Sequence, residues 1–203
     1  NIFYRLTNLD LDVNLSSINF TKLSNYFLSL DKQSRKKLFN INNKINGNLN
    51  LSADKIYSSY NLMKSFESRI QFTNNNILIE QFLINLGKLG AADLLGSISN
   101  DKKFTNFKFE SNIFVDNEKK FLSKFGIYKK KSIFPSLFVS GSFDLDNSRL
   151  RFYEITDNEK LNNEDINFIE KEFNYFMLKN GYESLFHFPN FKDFVSSITS
   201  EVN

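Results

Sequence analysis

Apolar and polar residues alternate along much of this chain, with the period of a β-strand whose two faces meet different surroundings. Leu9-Asp10-Leu11-Asp12-Val13-Asn14-Leu15 places every apolar side chain on one face. Leu49-Asn50-Leu51-Ser52-Ala53 does the same, as do Ser68-Arg69-Ile70-Gln71-Phe72 and the run from Phe107 to Ile113. Thr73-Asn74-Asn75-Asn76 reads as a turn, because asparagine tolerates the left-handed backbone that tight turns need. It leads into a return strand from Ile77 through an irregularity to about Leu86. The glycine-bearing segment from Gly87 to Ile98 predicts a turn, a bend or bulge and a further strand. A last hairpin is expected from Leu137 to Ile155, with Asp146-Asn147 near its turn. Strands that follow one another through short turns pair antiparallel, so the pattern predicts a meander with one dry and one wet face.

Helical spacing interrupts the strands. Leu23, Tyr26, Phe27 and Leu30 share one face between Phe20 and about Phe39, with Asp31 placed to cap a second short helix. Asp116 is the expected cap of a helix carrying Phe121, Leu122 and Phe125, with Gly126 at its stop. Ile166, Ile169, Phe173, Phe176 and Met177 trace a stripe from Asn163 to Asn180, ended by Gly181. An aromatic tail follows with Tyr182, Phe186, His187, Phe188, Phe191 and Phe194, where Pro189 starts a final short helix. The expected class is therefore α+β and β-rich: a curved antiparallel meander, open like a groove or taco, with a few short helices. Residues 1–155 form the sheet region and residues 156–203 a helical C-terminal cap. A weak internal repeat links DVNLSSINFTKLSNYF and the later INGNLNLSADKI to SNIFVDNEKKFLSKFGI and the later VSGSFDLDNSRL, with Gly47 and Gly141 leading the resumed strands.

Composition narrows the function classes. With 41% hydrophobic and 24% charged residues the chain is a folded protein, and 203 residues suffice for one substantial core. Phe (24), Asn and Lys are heavily used, as AT-rich coding favours, so aromatic abundance alone carries little. A net charge of +3 spread over both signs lacks the basic stripe of a nucleic-acid binder. Lys129-Lys130-Lys131 beside Tyr128 reads as a solvated loop, and Lys103-Phe104 and Phe107-Lys108-Phe109 as core packing and not base stacking. Absence of cysteine excludes disulfides and thiolate chemistry. No run of about 20 apolar residues is present, and the chain begins with Asn, so it reads as a fragment of a longer protein.

A search for catalytic constellations leaves little. The single histidine, His187, sits between two phenylalanines without a second His or a Ser-centred elbow. Asp10 and Asp12, and Asp144 and Asp146, fall at i and i+2 on a wet strand face, but no dense oxygen-ligand loop accompanies them. Gly87, Gly90 and Gly96 match neither nucleotide-loop spacing and read as sheet bends. No catalytic residue, metal ligand or cofactor is assigned.

The segment GNLNLSADKIYSSYNLMKSFESRIQFTNNNILIEQFLINLGKLGAADLLGSI, from Gly47 to Ile98, resembles proteins of the AsmA family and their TamB-type relatives. LDLDVNLSSINFTKLSNYFLSL before it and GSFDLDNSRLRF after it extend the resemblance to about Ile155. The shared features are loose: Gly-led alternating strands, an Asn-rich turn and a glycine-containing strand. The resemblance implies a long twisted sheet with a hydrophobic lining, held in the periplasm by an inner-membrane anchor upstream. It further implies transfer of phospholipid or another acyl lipid between membranes and a role in outer-membrane biogenesis. Envelope proteins are the implied partners, and no catalysis or nucleic acid is involved. The face expected to contact lipid comprises Leu49, Leu51, Ile70, Phe72, Ile77, Ile79, Phe107, Phe109, Phe143 and Leu145, flanked by Leu9, Leu11 and Val13. The alternative is that helices cover the same face, giving a scaffold module with a closed core, since both want the same residues.

Overall fold

The computed structural model describes residues 7–39, 45–58, 61–100, 105–128, 136–157, 159–181 and 187–201. The alternating segments all form strands: β1 (Thr7–Leu15), β3 (Ile45–Ala53), β5 (Ser65–Thr73), β6 (Asn76–Asn85), β7 (Gly90–Asn100), β8 (Thr105–Val115), β9 (Ser136–Asp144) and β10 (Arg149–Asp157). With the two-residue β11 (Glu159–Lys160) they make a sheet of order β1-β3-β5-β6-β7-β8-β9-β10-β11. Two further short strands, β2 (Ile18–Asn19) and β4 (Ile56–Tyr57), pair separately. Asn74 and Asn75 take φ of 49° and 67° at the β5–β6 turn, the left-handed pair that matches strand twist in a tight hairpin.

From β3 onward the sheet is the expected antiparallel meander, but its first pair is different. β1 runs parallel to β3, Thr7 opposite Ile45 through Leu15 opposite Ala53. The crossover that a parallel pair requires is supplied by α1 (Phe20–Ser29) and α2 (Lys32–Phe39). This also separates the two suggested repeat segments: β1 and β3 flank their helices in parallel, whereas β8 and β9 flank α3 (Glu118–Lys124) antiparallel.

Short polar side chains start the helices. The Oδ1 atoms of Asn19, Asp31 and Asn162 accept from the amides of Lys22, Ser34 and Asp165 at 2.9, 2.7 and 2.8 Å. For α3 the cap is Asn117, which accepts from Lys120 N–H at 2.9 Å, and not Asp116. The Asp116 N–H instead donates to the Leu89 carbonyl, which ties it to the 3-10 turn at Gly87–Leu89. After α3, Gly126 at φ 72° turns the chain as expected. The long helix α4 (Asn163–Asn180) follows β11, and the last helix, α5 (Phe188–Glu201), is a full 14 residues.

The sheet closes on itself far enough for distant elements to meet. α2 leads into β3, the second strand of the order, yet Lys36 Nζ lies 3.2 Å from Asp146 Oδ2 in the β9–β10 turn. Five strand spacings, about 24 Å on a flat sheet, lie between β3 and β9. Phe27 and Phe39 share a cleft with Leu145, so the sheet curves about its apolar side. Neither edge joins the other, and the sheet is not a barrel. Irregularities at Glu80 in β6 and Tyr153 in β10 each insert one extra residue, which increases local twist and bend.

Candidate functional site: the apolar face of the sheet

Register assigns each expected residue to one face and one row. Leu11, Leu49, Ile70, Ile79, Gly96, Phe109, Gly141 and Phe152 lie side by side across the eight long strands. The neighbouring row runs Leu9, Gly47, Phe72, Ile77, Ile98, Phe107, Phe143 and Leu150. Leu49, Leu51, Ile70, Phe72, Ile77, Ile79, Phe107, Phe109 and Phe143 therefore do share a face, and Leu145 continues it just past the end of β9. Phe66, Phe82, Ile84, Leu94, Ile113, Val139 and Ile155 belong to it as well.

Cover over this face is uneven. At the β9–β10 end it is a closed core: Phe143 and Leu150 are buried with Phe176 and Met177 of α4, and Phe107, Phe109 and Leu145 pack against them. Ile155 is buried with Ile166 and Ile169 of the same helix. α5 seals both clusters through Phe194, whose ring stacks on Phe176 at 5.3 Å and meets Phe173 edge-on at 5.5 Å. Phe125, after α3, closes the end of α5 against Phe188 and Phe191. Each such buried side chain contributes about 1.5–3 kcal/mol. Toward β1 the cover is thinner: Leu9 and Leu11 are each 43% exposed, and Leu49, Leu51, Ile70, Phe72 and Ile79 are half-buried.

Gly96 and Gly141 are seats for aromatic rings, and Gly96 also adjoins the irregularity between β6 and β7. A Cβ on Gly96 would stand 2.7 Å from Phe107 Cε2, and one on Gly141 would stand 3.0 Å from Phe109 Cζ. The two phenylalanines stack at 5.6 Å, lying over neighbouring backbone that has no side chain to compete.

On the wet face, polar pairs bridge the strands. Asn48 Nδ2 donates to Asp10 Oδ1 at 2.8 Å and Asn50 Nδ2 to Asp12 Oδ1 at 2.6 Å. Asp93 Oδ1 accepts from both the backbone and the side-chain amide of Asn112, each at 2.9 Å. Asp144 and Asp146 do not share a strand face as expected, because β9 ends at Asp144. Asp144 Oδ1 accepts from the amides of Asp146 and Asn147 to form the turn. Asp146 points to Thr105 N–H at 2.7 Å and to Lys36. Burial raises the Asp146 carboxyl, but these two partners outweigh it and hold it below its ordinary value.

A cleft of about 420 Å³ lies between α2 and the β9–β10 turn, with Phe27, Phe39 and Leu145 beside Lys32, Lys36 and Asp146. Arg35, also in its wall, donates Nε–H to the Leu30 carbonyl at 2.8 Å and sits 5.6 Å from the centre of the Phe27 ring, fastening α2 to α1. His187 is exposed, and its carbonyl accepts from Phe191 N–H at 3.2 Å in the first turn of α5. Among the described residues no three His, Cys, Asp or Glu side chains gather where they could hold a metal, and no helix is long and apolar enough to cross a membrane. Lys103, Phe104, Lys129 to Lys131, Tyr182 and Phe186 lie outside the described residues.

Two polar residues of α4 have a role that helical periodicity did not single out. Asn174 accepts from the Leu150 amide at 2.8 Å and donates to the Leu150 carbonyl at 2.9 Å, while Glu170 Oε2 accepts from Phe152 N–H at 3.1 Å. They serve the outer edge of β10 as a neighbouring strand would. No protein-family model, curated protein or solved structure matches the chain.

Proposed function

We propose that this protein is a non-catalytic module that receives acyl chains of phospholipid on the uncovered part of its apolar sheet face. The observation that carries the reading is the uneven cover: helices seal the face at β9 and β10, whereas Leu9 and Leu11 of β1 are exposed and Leu49, Leu51, Ile70 and Phe72 of β3 and β5 stay half-buried. A generic apolar surface suffices for an acyl chain, since each buried methylene contributes about 0.8 kcal/mol without any specific motif. The resemblance to the AsmA family supports the same reading and would place the protein in the periplasm of a bacterial envelope, anchored to the inner membrane. Leu49, Leu51, Ile70, Phe72 and Ile79 would contact lipid. Phe107, Phe109, Phe143 and Leu145 would act behind them as the packed wall on which α4 and α5 rest.

The two closed clusters favour a second reading, a scaffold module with an ordinary core. Native mass spectrometry with lipid extraction, on protein purified gently from a bacterial host, separates the two. Lipid transfer predicts co-purifying phospholipid that is lost in Leu51→Asp and Ile70→Asp while circular dichroism stays unchanged. Folded, lipid-free protein that also refuses fluorescent phospholipid would overturn the lipid reading and leave the scaffold.

A further inference from the structure

The two edges of the sheet are finished in opposite ways. The β10 edge is occupied: Asn174 and Glu170 satisfy Leu150 and Phe152, and β11 pairs with Thr156 and Asp157. β1 is nine residues long, pairs with β3 on one side, and has no strand on its other side among the described residues. An edge of that length presents a row of unpaired N–H and C=O groups, a template for another strand.

The side chains of β1 say what kind of strand fits. Asp10 and Asp12 each accept through Oδ1 from an asparagine of β3, and among the described residues neither Oδ2 has a partner. On the other face Leu9 and Leu11, each 43% exposed, await apolar neighbours. A second copy does not meet this demand. Two β1 strands pairing about a two-fold axis bring Asp10 and Asp12 of both copies onto one face with no lysine or arginine in Thr7–Leu15 to balance them, and like charges gathered across a strand pair are unfavourable. Pairing of β1 with β10 of another copy is blocked by α4 and β11.

We infer that the β1 edge takes up, by strand addition, a segment of another protein in which apolar residues alternate with lysine or arginine. Backbone hydrogen bonds extend the sheet, the basic side chains reach the free carboxylate oxygens, and the apolar ones continue the row of Leu9 and Leu11. This holds whether or not the apolar face receives lipid.

The test uses the full chain and a nine-residue peptide alternating valine and lysine, with a glutamate-for-lysine version and a backbone N-methylated version as controls. The lysine peptide should bind and slow amide exchange across β1. The glutamate and N-methylated peptides should bind at least about tenfold more weakly. Asp10→Lys/Asp12→Lys should reverse the preference, and if it misfolds, Asp10→Asn/Asp12→Asn should still weaken the lysine peptide. Binding that ignores N-methylation or the charge reversal, or protection appearing away from β1, overturns the inference. So does a protein that dimerises through β1. If no peptide binds, Asp10 and Asp12 are edge-blocking charges and the inference is wrong.

Discussion

Asn174 stands beside Leu150 as a substitute for a β-strand: its amide group donates to the Leu150 carbonyl and accepts from the Leu150 N–H, at 2.9 and 2.8 Å. Leu150 is 7% exposed, so water cannot readily replace either bond. Asn174→Ala should cost about 1–3 kcal/mol, the usual penalty for stranding buried polar groups. Asn174→Leu, which keeps the volume, should be equally unstable in urea titration. Recovery of the wild-type midpoint by leucine would assign Asn174 to packing instead.

Gly141→Ala should destabilise the sheet by about 1–3 kcal/mol. The new methyl would meet the Arg151 carbonyl at 2.5 Å, which cannot move without the strand, and the Phe109 ring at 3.0 Å, which can. In a double-mutant cycle Phe109→Ala should therefore relieve only part of the cost. Full relief would place the conflict entirely in the ring.

Phe194→Ala should loosen the whole α4–α5 cover, because its ring packs against both buried clusters. Phe194 is half-buried, so the loss should fall near the lower end of the about 3–5 kcal/mol typical of Phe→Ala in cores. Faster amide exchange throughout α5, with β1 to β5 unchanged, is the expected signature.

Two aspartates should give opposite pH signatures. Asp146 has its folded pKa below 3.8, so its stabilisation is complete above that value and disappears as pH falls through the lower folded one. Wild type should exceed Asp146→Asn in stability at pH 7, and the gap should close below about pH 4. Asp157 is raised above 3.8 by burial and then by Glu118, so ionisation weakens the fold as pH rises through that window. Asp157→Asn should gain stability at pH 7 and lose that gain in acid. Thermal melts of the three proteins between pH 3 and 7 check both signs.

The strands were legible because a half-buried sheet imposes period two directly on side-chain polarity, and Leu9 to Leu15 or Phe107 to Ile113 report it without help from the rest of the chain. Parity after an extra residue was less legible. Ile77 and Ile79 share a face with Phe82 and Ile84 only because Glu80 is accommodated as an unpaired residue. Asn117 displaced Asp116 as the cap of α3 for a similar reason: both residues can cap, and the bond from Asp116 N–H to the Leu89 carbonyl selected the register.

Local chemistry was enough to specify the alternating strands, the Asn74–Asn75 turn and the apolar stripe of α4, since each depends on neighbours within a few residues. The parallel pairing of β1 with β3, the curvature that brings Lys36 to Asp146, and the division of one apolar face into a sealed and a thinly covered part were settled only by tertiary structure. Alternation states that a face is apolar. What covers that face depends on which distant helix reaches it, and Asn174 and Phe194 are the residues that carry α4 and α5 there.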